Sequence, residues 1–435
     1  MLRWVIRNSP KANSSSGRFS HEEKPRLVLV TTVPLTLRSF FQGQITYLKN
    51  KGFDIHAVSS PGRDLNEFAQ KEQVPIHGIT MTRGISPFAD VIAAARLWML
   101  FMKIRPAVVH ASTPKAGVLS MVAASFARVP VRFYTLHGIM TEIRSGPTKI
   151  LLKILEWIAC TLADQVLAVS RSVMDGVIGQ SLCSGGKIKV LAHGSCNGID
   201  ALNRFNPAGQ DKTKMRGLRS HLLLDEKVIV IGFVGRLVKD KGIVELASAW
   251  ERIKAGHDNV RLLMIGPKEP QDPVPPRILE KLGCDDRVAM PGFVSNEELP
   301  AYYRIMDIVV LPTYREGFPY SILEASAMGL PVVASRVTGC VEAVVDGVTG
   351  ILVPPRDVQS LVEAICTYVE DPELRVKHGQ AGRDRVLAHF RQEPIWEALS
   401  EEYLFHIGRK GLSFSPAIRP KGKTSDLRPE QGRVP

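Results

Sequence analysis

Hydrophobic residues recur along this chain in short runs separated by longer amphipathic stretches. Residues 27–32 (LVLVTT) are an apolar run of strand length, and runs of that length suit strands buried on both faces. The segment 35–50 then reads as a loop and a helix, and Gly52 ends it. The alternation continues with a strand at 54–59, a strand at 76–79, a helix at 88–104, a strand at 107–111 and a helix at 115–127. Next come a strand at 131–136, a helix at 148–163, a strand at 165–170, a helix at 171–180 and a closing strand at 187–191. A charged bridge, 207–226, leads to a second cycle whose strands are 228–232, 261–265, 288–290, 308–311, 332–335 and 350–353. Repeated strand–helix alternation implies parallel sheets with helices on both faces. The expected fold class is α/β, with two Rossmann-like domains facing across a cleft, and Asn197-Gly198 suits a turn near the junction. The domains are placed at 25–205 and 206–391, followed by a helical segment from 392. Residues 1–24 and 409–435 read as a disordered leader and tail.

Charge refines this picture. Residues 1–205 carry 25 Lys and Arg against 12 Asp and Glu, whereas the remainder carries 31 of each, so the first half holds the whole net charge of +13. Such a surface attracts anionic lipid or a diphosphate-bearing acceptor. No nucleic-acid module accompanies it, and nucleic acid is not expected as a partner. The apolar stretches 87–104 and 150–162 are broken by Asp90, Arg96 and Lys103, and by Lys153 and Glu156, so neither reads as a membrane span. Arg144, Lys149 and Lys153 flank apolar helix faces, which makes a membrane surface an expected partner. The leader lacks the apolar core of a secretory signal. The six Cys have neither C-x-x-C nor zinc spacing and read as thiols of a reducing compartment. The expected location is cytoplasmic, peripheral at the inner face of the cytoplasmic membrane.

Candidate chemistry lies where parallel strands end. In GFVGRLVKDKG (232–242), Gly235 permits a turn at the strand exit, and Arg236 and Lys241 suit a diphosphate that gains charge as a leaving group. In EGFPYSILE (316–324), Pro319 suits the first turn of a helix whose open N–H groups form an anion site. Glu316 lies in the loop before that helix and Glu324 within it, so each carboxylate is able to accept bonds from two adjacent hydroxyls. In TLHG (135–138), His137 faces the cleft and Gly138 lets the chain turn. The loop 32–43, with Arg38 and Gly43, forms the fourth wall, as acceptor-side or phosphate contacts.

These segments resemble the retaining glycosyltransferases of the GT-B fold, family 4. The resemblance spans about 26–404 and is most specific over 307–344 (DIVVLPTYREGFPYSILEASAMGLPVVASRVTGCVEAV), which contains the family's E-x7-E motif as Glu316 and Glu324. It implies that Glu324 holds the ribose of a nucleotide sugar. It implies that Glu316, with the backbone of Gly317 and Phe318, holds the transferred sugar. Tyr320 and Ser321, after Pro319, then lie near the diphosphate beside Arg236, Lys241 and the Gly235 turn, and His137 lies near the sugar and acceptor. Phe293 and Val294 resemble the segment that receives the base. The segment 392–408 resembles the helix that crosses back to the first domain. Many relatives carry a Gly-Gly pair after the first strand; this chain has Pro34, Leu35 and Gly43 there instead. The implied activity is transfer of a hexosyl or N-acetylhexosaminyl group, UDP-linked, to a glycan or polyprenyl-diphosphate-linked acceptor in cell-surface polysaccharide synthesis. The segments 156–170 and 194–200 resemble that branch, and Val341-Glu342-Ala343 resembles N-acetylgalactosaminyltransferases. No metal or other cofactor is expected. The alternatives are a sugar-nucleotide epimerase of the same fold and a non-catalytic glycan-binding scaffold.

Overall fold

The computed structural model describes residues 24–414 apart from 83, 140–145, 226 and 271. The expected leader up to residue 23, the tail from 415 and Arg144 lie outside the described residues.

The first sheet is built from Arg26–Val30 (β1), Asp54–Ser59 (β2), Ile76–Gly78 (β3), Val108–Ser112 (β4), Val131–Leu136 (β5), Gln165–Ala168 (β6) and Ile188–Lys189 (β7). Its order is β3-β2-β1-β4-β5-β6-β7, and every neighbouring pair is parallel. The second sheet holds Ile229–Val234 (β8), Val260–Ile265 (β9), Val288–Gly292 (β10), Ile308–Leu311 (β11), Val332–Ser335 (β12) and Gly350–Val353 (β13). Its order is β10-β9-β8-β11-β12-β13, again parallel throughout. Both sheets reverse strand order beside their first strand, between β1 and β4 and between β8 and β11, and such switch points open a crevice at the strand ends. β4, β11 and β12 are buried at every position, which is why these strands do not alternate apolar with exposed polar residues.

Two departures from the expected elements have local causes. The segment 35–50 is two helices, Pro34–Phe41 and Gln44–Asn50. Gly43 breaks it with φ +78, and a Cβ there would stand 3.0 Å from the Trp396 ring. The final helix runs Gln392–Arg409, one residue beyond the expected 408. It returns to the first domain, where Leu399, Tyr403 and Ile407 join the core that Leu27, Leu29 and Phe133 form on one face of the first sheet. Tyr403 also hydrogen-bonds His110 Nδ1, while His110 Nε2 meets Thr135 Oγ1 at 2.6 Å. Burial pushes the His110 pKa down to about 3, so the ring is neutral in this network.

The chain passes between domains beside its own return. Ile199 N–H donates to Phe390 O at 2.8 Å. Gly198 adopts φ +64, and a Cβ there would stand 2.8 Å from the carbonyl oxygens of Phe390 and Arg391. Gly198→Val should therefore destabilise the protein by about 2 kcal/mol or more, combining left-handed strain with a backbone clash. Thermal denaturation checks this, and a melting temperature equal to wild type would contradict it.

Candidate active site

The E-x7-E segment sits at the exit of β11. Thr313 Oγ1 ties the loop by bonds to Asp240 O at 3.1 Å and Arg315 O at 3.0 Å. The helix that follows is Tyr320–Ala327, and Pro319 is its N-cap with extended backbone rather than part of the first turn as expected. No side chain caps this helix, so its first N–H groups are available to an anion. Glu324 is largely enclosed. It accepts a bond from Tyr303 OH at 2.9 Å and lies 3.9 Å from Arg204. Burial pushes its pKa up to about 7, with Arg204 and then the Tyr303 bond pulling the other way.

Glu316 pairs with Lys241 across the two strand-exit loops, and both side chains are mostly buried. The turn that presents Lys241 depends on Gly242, at φ +71 against Pro312 O. Gly235 follows β8 at the strand exit without a left-handed φ, and the tight approach there belongs to Gly266, at φ +142, whose Cβ would stand 1.9 Å from Gly235 O. Arg236 and Lys241, the two cations expected on the diphosphate, have different partners in this structure. Arg236 binds Glu269 at 2.9 Å, and only Lys241 is brought to Glu316.

The first domain meets this loop backbone to backbone. A Cβ on Gly317 would stand 2.0 Å from His137 O, and one on Gly339 would stand 2.4 Å from Gly317 O. Only glycine fits such approaches. His137 stacks on Phe40, with ring centroids 3.8 Å apart and planes within 3°. Its Nε2 is buried and meets no partner among the described residues. Burial, followed by the neighbouring His110, pushes its pKa down to about 3, so His137 is a neutral hydrogen-bonding group. Phe318 packs beneath Gly194 and Phe390. Tyr320 OH meets Cys196 Sγ at 2.8 Å, while Ser321 lends its carbonyl to Tyr303 OH at 3.3 Å.

Arg38 and Gly43 lie to one side. Arg38 reaches across to Glu297 at 2.9 Å, and Lys71 reaches the same carboxylate at 3.4 Å. Against the opposing effect of burial, a bond from its own backbone N–H, then Arg38 and Lys71, hold Glu297 below the usual carboxylate range. Arg38 and Lys71 border a cavity of about 620 Å³ into which Leu35, Phe68 and Phe293 also project. Val294 follows Phe293 after β10 and packs on the core, whereas Phe293 is exposed. The structure thus brings Glu316, Lys241, Gly317 and His137 together. Glu324 lies further on, in the helix Tyr320–Ala327, with Arg236 and Arg38 outside the group. Among the described residues no three His, Cys, Asp or Glu converge as around a metal ion.

Comparison with known proteins fits this geometry. Residues 216–385 match the family model of glycosyl transferases group 1, and residues 42–195 match that of glycosyltransferase family 4. The chain is 36% identical over 362 residues to the capsular polysaccharide biosynthesis glycosyltransferase CapM of Staphylococcus aureus, covering 83% of this chain and 92% of that protein. The chain belongs to the family 4 glycosyltransferases. It is also 26% identical over 336 residues to the UDP-Gal:alpha-D-GlcNAc-diphosphoundecaprenol alpha-1,3-galactosyltransferase of Escherichia coli, covering 76% of this chain and 83% of that one. Among solved structures, a glycosyltransferase from Rickettsia africae aligns with TM-score 0.72 and 22% identity, over 88% of this chain and 99% of that one. HepE of Anabaena, solved with UDP-glucose, aligns with TM-score 0.72 and 21% identity, over 88% and 100%. Both show the GT-B fold. These relatives are transferases, and the epimerase alternative is not supported.

The glycosyltransferase also holds residues that the sequence did not single out. Tyr303 and Arg204 fix Glu324 from elements far away in sequence, and Phe40 fixes the His137 ring. Ser172 and Glu342 join the domains. The Glu342 carboxylate accepts Ser172 N–H at 2.5 Å and Ser172 Oγ–H at 2.8 Å, and Ser172 Oγ accepts Gly339 N–H at 2.9 Å. Glu342 was noted in the sequence only as part of a donor-type likeness; nothing local to it indicates a partner 170 residues away. Glu342→Ala should remove about 1.5–3 kcal/mol of this interdomain contact, the usual worth of charge-assisted bonds. Small-angle scattering should then show a larger radius of gyration with both domains folded. A curve identical to wild type would contradict this role.

Proposed function

We propose that this glycosyltransferase moves a hexosyl or N-acetylhexosaminyl group from a UDP-sugar to a polyprenyl-diphosphate-linked glycan acceptor, with retention, in cell-surface polysaccharide synthesis. The observation that carries this reading is the Glu316–Lys241 pair, set against the contact of Gly317 with the His137 backbone. A carboxylate and an ammonium side by side, at an uncapped helix start, suit a sugar hydroxyl pair next to a diphosphate. The E. coli relative, a galactosyltransferase to a GlcNAc-diphosphoundecaprenol acceptor, supports the acceptor class, and the HepE complex with UDP-glucose supports the nucleotide. A site at the inner face of the cytoplasmic membrane follows from such an acceptor.

In this reading Lys241 and the N–H groups of Tyr320 and Ser321 receive the charge that develops on the leaving diphosphate, without a metal. The bond from the anomeric carbon to the phosphate oxygen breaks. A bond from the same face of that carbon to the acceptor oxygen forms, and the acceptor proton passes to the departing phosphate oxygen. Glu316 orients the sugar hydroxyls, and neutral His137 bonds a further hydroxyl through Nε2. Closure of the Gly317–His137 backbone contact keeps water from the donor. Phe293 and Val294 face the base, and Arg236 stands at the rim, where release from Glu269 would add a second cation.

Glu316→Ala should remove most transfer, about a hundredfold or more in turnover, while circular dichroism stays unchanged. Retained turnover would sink the assignment, and product of inverted configuration would sink the front-face step. A second expectation concerns pH. A ribose diol bonds best to ionised Glu324, and this carboxyl titrates at about 7 in the free protein. Donor binding lowers that pKa, so affinity rises with pH up to and through 7. The donor KM should fall between about pH 5.5 and about pH 8.5, and Glu324→Gln should abolish the slope. A flat wild-type profile would contradict the role of Glu324.

A further inference from the structure

The helices Pro87–Ile104, Pro114–Phe126 and Gly146–Leu162 pack side by side over one face of the first sheet. The first is apolar on both sides. Ala93, Leu97, Phe101 and Ile104 face the core, while Phe88, Val91, Ile92, Trp98, Met99 and Met102 face outward. A helix at the surface of a soluble domain needs only the first stripe. The third helix repeats the feature, with Ile150, Leu151, Ile154 and Trp157 exposed at helical spacing. On the middle helix Phe126 is 76% exposed. Between the first two helices, Ala94, Ala95, Val122 and Ala123 floor an open groove of about 370 Å³ walled by Trp98 and Phe126. Continuous exposed apolar surface of this kind marks an interaction site.

The charges around this surface identify the partner. The carboxylates on these helices are Asp90, bound to Lys115 at 2.6 Å, and Glu156, buried against Tyr134 OH at 2.5 Å. Arg96, Lys103, Lys149 and Lys153 lie on the same helices without an ion pair to a described carboxylate. The face is therefore aromatic and aliphatic, with cations and, among the described residues of these helices, no free acid. A second copy of this chain would set cation against cation. An anionic bilayer matches both features, since it takes the apolar side chains between its headgroups and the cations at its surface.

We propose that this three-helix face of the first domain is the docking surface for an anionic lipid bilayer. The proposal rests on the transferase reading only for its purpose, delivery of a lipid-linked acceptor. Topology sets the orientation. The middle and third helices leave β4 and β5, so their starts lie at the cleft end of the domain, whereas the first helix leads into β4 and ends away from the cleft. The bilayer then runs along the flank of the domain from Phe88 and Ile150 at the cleft end to Phe126 and Met102 at the other. A diphosphate headgroup leaving the membrane emerges beside the cleft mouth.

The test is flotation of the full chain with phosphatidylcholine vesicles with or without phosphatidylglycerol. The wild type should bind the phosphatidylglycerol vesicles, and added salt should weaken binding. The triple variant W98S/F126S/W157S should lose about tenfold or more in partitioning, and K149E/K153E about tenfold. UDP-sugar hydrolysis should be unchanged in both, which shows that they fold. Wild-type-like flotation of the triple variant would overturn the proposal. So would a wild type that ignores all vesicles yet forms dimers that the triple variant abolishes. A wild type that binds vesicles but hydrolyses no donor supports the surface while removing the transferase reading.

Discussion

The structure turns on the approach of Gly317 to the backbone of His137, with the Glu316–Lys241 ion pair beside it. A Cβ on Gly317 would overlap the His137 carbonyl oxygen at 2.0 Å, so the two domains touch there as bare backbone. That contact fixes where a carboxylate and an ammonium from two loops of the second domain stand relative to a neutral imidazole of the first. It also requires Gly339, at φ +78, to lie against Gly317 O. The bonds from Ser172 to Glu342 then hold the same loops from the other side. Cleft geometry is thus set by close packing and a few short polar contacts, while the sheets supply rigid walls.

Electrostatics divides labour among the acids. Glu316 has a cation within bonding reach. Glu324 has the longer Arg204 contact and a phenol, and burial drives it toward the neutral form. The two carboxylates of one motif therefore meet a ligand in different states. His137 is held neutral by burial, which suits hydrogen bonding to a sugar and not the storage of a proton. Beyond the cleft, Arg96, Lys103, Lys149 and Lys153 share one flank with exposed apolar side chains, the surface proposed to meet lipid.

Much of this was legible in the chain. β2, β5, β11, β12 and β13 coincide with the expected segments, because largely buried strands leave short β-branched and apolar stretches between turn residues. The E-x7-E segment was equally visible, since its glycine, proline and carboxylates are local. What pairs across distance was not. Arg236 turns to Glu269, which lies on a different strand exit, and no spacing rule links them. Tyr303 supports Glu324, and Trp396 packs on Gly43, from helices whose placement only the fold supplies. Pro319 shifted by one position because a helix boundary depends on backbone angles that a residue type only biases.

The central claim is that Glu316 serves the sugar while Lys241 serves the diphosphate. Calorimetric titration of Glu316→Gln with UDP and with UDP-hexose separates these roles most directly. The account predicts that UDP binds as well as to wild type or better, since Lys241 is released from its partner, while the added affinity from the hexose disappears. Equal loss of both ligands, or an undiminished gain from the hexose, would contradict it.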